Sequence, residues 1–433
     1  MKQAMGKEKI KVGLIGCGTI GGGVLTILKE NGAAISEKIN AEIVLAGVAE
    51  RNQARLEDLG VPVELRTVDA ESLLVDPDLD IIIELIGGIE PARGFIRKAL
   101  EHGKYVVTAN KDLMATHGGE LLALAREKGL NIFYEASVGG GIPLIRPLKQ
   151  GLIADRLNRV VGIVNGTTNY ILTRMSQDGL GFEEALTLAQ ELGFAEADPT
   201  SDIEGRDAVY KLIIMAGLAF GQRVHPDHVF VEGIKRVTKD DIAYAGEIGY
   251  AVKLVAIGER LPEGVVLRVH PTLVPLDHPL ASVRNEFNAV LIEGEALGDV
   301  MFYGRGAGSM PTATAVLADV AEAASLINEA KAPYVTESII TDCIPLPLDQ
   351  LESRFYLRFL ADDKPGVFAA LANAFGDEQV SLDMVIQKRR VNSTAEIVLV
   401  THMAREDAFK RAFDKVVALP AIKPGPSMFR LLG

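Results

Sequence analysis

The chain has 433 residues, 48% of them hydrophobic and 24% charged, with a formal net charge of −13 and a pI near 5.2. That length exceeds what one hydrophobic core serves, so two or three domains are expected, in an ordinary soluble globular composition. The acidic balance argues against a nucleic-acid partner, which needs a basic face, and disfavours an anionic membrane surface. Two cysteines, Cys17 and Cys343, build no disulfide framework, so a cytoplasmic protein is expected. No apolar run reaches the ~18 residues of a membrane span. The basic start, MKQAMGKEK, leads at once into a strand-like run and not into a signal-peptide core.

Residues Ile10 to Ile15 (IKVGLI) read as a short buried strand that runs into Gly16-Cys17-Gly18-Thr19-Ile20-Gly21 and then a helix. Strand, GxGxxG, helix is a dinucleotide-binding arrangement. The first glycine permits the turn, the second lets a pyrophosphate approach the backbone, and the third lets helix pack on strand. The free N–H groups of the helix start suit the phosphates. A second strand, Ala41 to Ala49, ends in Glu50-Arg51. An acid there favours the ribose hydroxyls of NAD and an arginine favours the 2′-phosphate of NADP, so the adjacent pair leaves both open.

Asp80 to Ile86 is a third buried strand, ending at Gly87-Gly88, and strand ends in such a sheet face the ligand. A helix from about Pro91 to His102 follows, then the strand KYVVT and Ala109-Asn110-Lys111. A lysine just past the carboxyl end of a parallel strand points into the binding crevice; otherwise it is a helix-start lysine in water. After Asn131 to Glu135 comes Ala136-Ser137-Val138-Gly139-Gly140-Gly141-Ile142-Pro143. Its glycines allow sharp turns that expose carbonyls, which suit a hard cation or simply make a hinge.

From about Pro147 the alternation changes character. Leu157 to Asn165 reads as a strand, Gly166-Thr167-Thr168-Asn169-Tyr170 opens a helix, and Glu183 to Leu192 is a helix delivering GFAEADPTSDIEGRDAVYK. Glu191, Glu196, Asp198, Asp202, Glu204 and Asp207 crowd here with only Arg206 and Lys211 to answer them. Asp198-Pro199 marks a turn. Asp207 and Lys211 are four apart on one helix face, acid before base. The apolar run after Lys211 is a buried helix, so its ammonium enters a core, is partly desolvated, and becomes a usable proton donor or acceptor. The plainer alternative is a solvated acidic loop with a surface pair worth under ~1 kcal/mol.

This segment resembles the signature of homoserine dehydrogenases at Ala189, Gly193, Asp198-Pro199, Asp202, Gly205, Asp207 and Lys211. The resemblance implies NAD(P)-dependent interconversion of L-homoserine and L-aspartate 4-semialdehyde. It implies that Lys211 moves the proton, tuned by Asp207, with Lys111 as second active-site lysine. Glu196, with Asp202 and Asp207, would bind the substrate ammonium. Gly16, Gly18, Thr19, Ile20, Gly21, Arg51, Gly87, Lys111 and Gly308 would line the cofactor. Backbone oxygens of Glu135, Val138, Gly140 and Ile142 would hold sodium or a similar ion. It also implies a homodimer, with a tetramer open to it through the small domain.

Strands follow around Ile248 to Ile257, Val265 to Val274 and Ala289 to Glu295, then a second glycine cluster at Met301 to Gly308 and a long apolar helix. Lys331 to Ser353, with Pro333, Pro345 and Pro347, reads as a linker. Beyond it, strand-helix-strand-strand-helix-strand in about 75 residues is ferredoxin-like. With DKPGV before its first helix, this unit resembles an ACT domain, which implies an amino-acid effector, threonine being the family's usual one. The expected fold is therefore α/β. A Rossmann-type domain covers 1–147, completed by about 305–330, and a mixed α/β catalytic and dimerisation domain covers 148–304. A linker covers 331–352 and an α+β ACT-like domain 353–433. The seven histidines show no metal pattern. Two rivals remain, a related semialdehyde or amino-acid dehydrogenase and a non-enzymatic amino-acid sensor on a dehydrogenase scaffold. The first would lack the 189–211 pattern and the second would have lost the lysines or the glycines.

Overall fold

A computed structural model describes residues 7–329, 340–391 and 394–433; the first six residues of the basic start and part of the expected linker lie outside these. The chain divides into two compact units, one of residues 1–160, 210–228 and 288–344 and one of 161–209, 229–287 and 345–433.

The first unit is organised by a parallel sheet. Its strands are β1 (Lys9–Ile15), β2 (Glu42–Ala49), β3 (Arg66–Thr67), β4 (Ile81–Glu84), β5 (Tyr105–Thr108) and β6 (Ile132–Phe133). They lie in the order β3-β2-β1-β4-β5-β6, so the order reverses between β1 and β4. Both faces are covered, which is why β1 and β4 are apolar along almost their whole length. The connecting helices are α1 (Thr19–Ile39), α2 (Gln53–Asp58), α3 (Ala70–Val75), α4 (Ala92–Glu101) and α5 (Lys111–Glu127).

Next come β7 (Leu157–Ile163), α6 (Gly166–Asp178), α7 (Phe182–Glu191), α8 (Thr200–Ile203), α9 (Arg206–Phe220), β8 (Gln222–Val224), β9 (Phe230–Val231) and α10 (Lys239–Glu247). The strand expected to reach Asn165 stops at Ile163, because Asn165 turns to cap α6 by accepting the N–H of Thr168 at 2.8 Å. The long strands β10 (Tyr250–Leu261) and β11 (Gly264–Pro275) form an antiparallel hairpin, followed by β12 (Phe287–Gly294) and β13 (Gly298–Arg305).

Helix α11 (Ser309–Asn328) corrects the reading that nothing here is long enough to span a membrane: by length and composition it is. Asp319 and Glu322 interrupt the apolar run without lowering its average enough. It is instead a core helix of the first unit: Ala313, Val316, Val320 and Ala324 pack with Val24 and Ile27 of α1 and with Ile10, Val12 and Leu14 of β1.

The expected linker holds a strand at its described end, β14 (Thr341–Cys343), paired parallel with β8. The last part comprises β15 (Glu352–Asp362), α12 (Val367–Asp377), β16 (Leu382–Val391), β17 (Thr394–Thr401), β18 (Ala404–Arg405), α13 (Glu406–Val417) and β19 (Ser427–Leu431). Phe355, Leu357 and Phe359 of β15 share a buried cluster with Leu371, Phe375, Phe409 and Val416. Within the second unit β19 pairs antiparallel with β15 and parallel with β11, giving the strand order β10-β11-β19-β15-β17-β16. The ferredoxin-like part therefore continues the sheet that carries the β10–β11 hairpin.

Candidate active site

The glycine turn after β1 has the geometry a dinucleotide requires. Gly16 is left-handed, at φ +94, and a Cβ there would lie 2.9 Å from the Leu85 backbone. A Cβ on Gly21 would lie 2.2 Å from the Gly16 oxygen, whereas one on Gly18 would meet nothing within 4 Å. The first and third glycines are thus forced by packing, and the second leaves backbone open to a ligand. Thr19 and Ile20 begin α1, whose N-terminus receives no side-chain cap. Gly308, at φ +113, opens α11, and the Ser309 hydroxyl donates to the Thr19 oxygen at 2.7 Å.

At the end of β2, the Glu50 carboxylate accepts the N–H groups of Cys17 at 2.8 Å and of Asn52 at 2.9 Å. Burial would raise its carboxyl, but these backbone donors outweigh it and hold it below the usual range. Arg51 beside it is exposed. Past the end of β4, Gly87 and Gly88 are left-handed, at φ +74 and +71, with open space where a Cβ would stand. Lys111 is the first residue of α5, with a side chain 33% exposed.

In the second unit the acidic crowd sorts itself. Asp198 accepts the N–H of Thr200 at 3.1 Å and so closes its own turn. Glu204 pairs with Lys235 at 3.0 Å, while Glu196 is exposed. Asp202 and Asp207 are drawn together by one amide: Asn165 Nδ2 donates to Asp202 Oδ1 at 2.7 Å and to Asp207 Oδ2 at 2.8 Å. Asp207 is only 6% exposed. Gly205 supplies the left-handed bend, at φ +83, between α8 and α9. Lys211, half-buried, comes four residues after Asp207 along α9, where the chain has passed into the first unit. Asn165 was not foreseen as a site residue. Its only local signal was a cap-forming side chain before the GTTNY helix, and what it holds lies far along the chain.

The turn from Glu135 to Ile142 belongs to the first unit. Its backbone is pinned from both sides: the Glu135 carboxylate accepts the N–H groups of Leu144, Ile145 and Arg146 at 2.5, 2.7 and 2.7 Å, and its own N–H donates to Asp319 at 2.8 Å. Burial beside Glu135 pushes the Asp319 carboxyl up to about 8. Gly139 and Gly140 are left-handed, at φ +73 and +54, and a Cβ on Gly140 would strike the Gly306 oxygen at 2.5 Å. This turn offers carbonyl oxygens on a rigid frame, a donor set compatible with a hard cation. The Glu135 side chain is already committed to backbone.

Comparison with known proteins agrees with this layout. Family models match homoserine dehydrogenase over residues 143–321, its NAD-binding domain over 16–135 and an ACT domain over 355–421. The chain is 44% identical to the homoserine dehydrogenase of Synechocystis sp., covering 98% of this chain and 99% of that one. It is 40% identical to that of Bacillus subtilis over 98% and 99%. A crystal structure of a homoserine dehydrogenase from Thiobacillus denitrificans superposes with a TM-score of 0.93 at 41% identity, covering 99% of each chain. A hyperthermophilic archaeal homoserine dehydrogenase in complex with NADPH gives a TM-score of 0.63 at 28% identity, covering 73% of this chain and 97% of that one. With a dinucleotide turn, paired acids before a lysine and an ACT domain in one chain, this protein belongs to the homoserine dehydrogenase family of nicotinamide-dependent oxidoreductases.

Proposed function

We propose that Lys211 is the proton-transfer residue, that Asp207 fixes and tunes it, and that Lys111 is a second ammonium polarising the reacting oxygen. A nicotinamide held by these residues would supply hydride transfer to and from C4 in the interconversion of L-homoserine and L-aspartate 4-semialdehyde. The chain has one proton to manage. In the reducing direction the Lys211 ammonium gives it to the C4 oxygen; in the oxidising direction the neutral amine takes it from the C4 hydroxyl. Asp202, with Glu196 and Asp207, holds the substrate ammonium. The observation that carries this reading is the Asn165 amide, which ties Asp202 to Asp207, the acid one helical turn before Lys211 in α9. Lys211→Met that stays folded should lose nearly all homoserine-dependent NADPH formation; near-normal turnover would remove the role.

Gly16, Gly18, Thr19, Ile20, Gly21, Gly87, Lys111 and Gly308 are proposed to line the cofactor, with Arg51 taking the 2′-phosphate. NADP is the preferred form, because Glu50 is occupied by backbone donors and Arg51 is exposed. The archaeal relative described with NADPH supports this. Backbone oxygens of Glu135, Val138, Gly140 and Ile142 would hold a sodium ion that stiffens the turn. The ACT domain would take an amino acid, threonine first, and reduce activity. A cytoplasmic homodimer or homotetramer is the proposed assembly. Threonine titration of activity in the full chain, with sedimentation to count subunits, tests the last two points.

A further inference from the structure

Glu84 is the last residue of β4, and its side chain is fully buried. Nothing in the proton-transfer scheme uses it. It stands in direct register with Thr108, the last residue of β5, so both lie at the carboxyl ends of neighbouring parallel strands. The Thr108 hydroxyl donates to Glu84 Oε2 at 2.7 Å, and Glu84 Oε1 accepts the N–H of Ile86 at 2.8 Å.

These contacts close into a ring. The N–H of Asn110 donates to the Thr108 hydroxyl oxygen at 3.1 Å. The Asn110 amide donates to the Gly88 oxygen at 2.5 Å, and its oxygen caps α5 by accepting the N–H of Leu113 at 3.1 Å. The path therefore runs from Glu84 through residues 86–88 to Asn110, to Thr108 and back. One side of the ring is the open, left-handed Gly87-Gly88 loop. The other side is the residue immediately before Lys111. Burial pushes the Glu84 carboxyl up, and the donors from Thr108, Ile86, Gly87 and Asn110 oppose it.

A carboxylate on the surface of a crevice is a candidate for chemistry. One that is buried, with one oxygen engaged by the loop after β4 and the other by the end of β5, is suited to holding the two strand ends at a fixed separation. We infer that Glu84, acting through Thr108 and Asn110, is a positioning residue that sets Lys111 against the Gly87-Gly88 loop where the nicotinamide cofactor enters. This rests on the role proposed above for Lys111. A neutral amide at 84 could still accept one donor, but its NH2 would face the other, so the ring would open on one side.

The test uses the full chain with Glu84→Gln and, separately, Thr108→Val, measuring kcat, KM for homoserine, the NADPH dissociation constant and thermal melting. Turnover should fall about tenfold or more, as expected for misplacement of a polarising group. The NADPH dissociation constant should rise, while KM for homoserine stays within about twofold. Thr108→Ser keeps the hydroxyl and should recover most of the loss. Glu84→Gln combined with Lys111→Met should be no slower than Lys111→Met alone, since both remove one interaction. The inference is overturned if folded Glu84→Gln or Thr108→Val keeps parental kcat and NADPH affinity, even with a lowered melting temperature. Additive losses in the double variant would overturn it too. Lys111→Met turning over at the parental rate would instead remove the role given to Lys111, and the inference would then stand or fall on NADPH affinity.

Discussion

The side-chain amide of Asn165 donates to the buried carboxylate of Asp207 at 2.8 Å. A hydrogen bond to a buried charge is worth more than a neutral one, and losing it leaves desolvation less well compensated. Asn165→Ala also removes the cap of α6. Together these should cost about 2 kcal/mol or more in urea unfolding and raise KM for homoserine. Unchanged KM in a folded variant would mean the amide organises only the helix start.

Asp202 and Asp207 should separate kinetically although one amide holds both. Asp207 lies one turn before Lys211, so Asp207→Asn should act mainly on kcat. Asp202, in α8 and nine residues before Lys211, should act mainly on KM for homoserine when changed to Asn. Steady-state kinetics of the two variants checks this, and equal effects on both parameters would contradict the division of labour.

Arg51→Ala should weaken NADPH more than NADH. An exposed guanidinium–phosphate contact is worth on the order of 1–2 kcal/mol, so the ratio of kcat/KM for the two cofactors should shift toward NADH by about tenfold. A ratio that does not move would assign the phosphate to another group.

Lys253 gives a pH signature. It is buried in the second unit, donates to Asn169 Oδ1 at 3.1 Å and to the Val283 oxygen, and burial pulls its ammonium down to about 8. The unfolded chain keeps that proton up to about pH 10.4. Between these values the unfolded state binds more protons, so the folded state gains stability as pH rises. The melting temperature of the parent relative to Lys253→Met should therefore increase from pH 7 to pH 10, and a flat difference would place the ammonium in water.

Arg430 and Glu406 form a two-point ion pair, at 2.6 and 2.7 Å, with each side chain 8% exposed. Arg430→Met leaves the buried carboxylate without its counter-charge, with only the Ser353 hydroxyl donating to it at 3.0 Å, and should destabilise the second unit by about 3–5 kcal/mol. Adding Glu406→Leu should restore much of that, since an apolar pair carries no desolvation cost. Calorimetry of the single and double variants checks both.

The parts of this protein that were legible in its sequence are those whose causes are local. Gly16, Gly18 and Gly21 act within six residues, and packing forces the first and third while the second leaves open space beside the backbone. The homoserine dehydrogenase signature carried the family for a similar reason, as spacing along one stretch. What stayed hidden depends on partners distant in sequence. Glu191, Glu196, Asp198, Asp202, Glu204 and Asp207 read as equivalent acids, and only the fold separates Asp198, which closes its own turn, and Glu204, paired with the distant Lys235, from Asp202 and Asp207, held by Asn165. Glu84 and Thr108 meet through strand register, which no motif displays. The strand β14 was concealed in a proline-bearing stretch because three residues are too few to show alternation.

The placement of β19 governs the order in which the molecule can be made. It lies between β11 and β15, both synthesised earlier. Until residues 427–431 leave the ribosome, Thr272 and Leu273 of β11 and Arg354 to Arg358 of β15 wait for a neighbour that does not yet exist. A nascent chain shielded by a chaperone over that interval should mature in higher yield than an unshielded one.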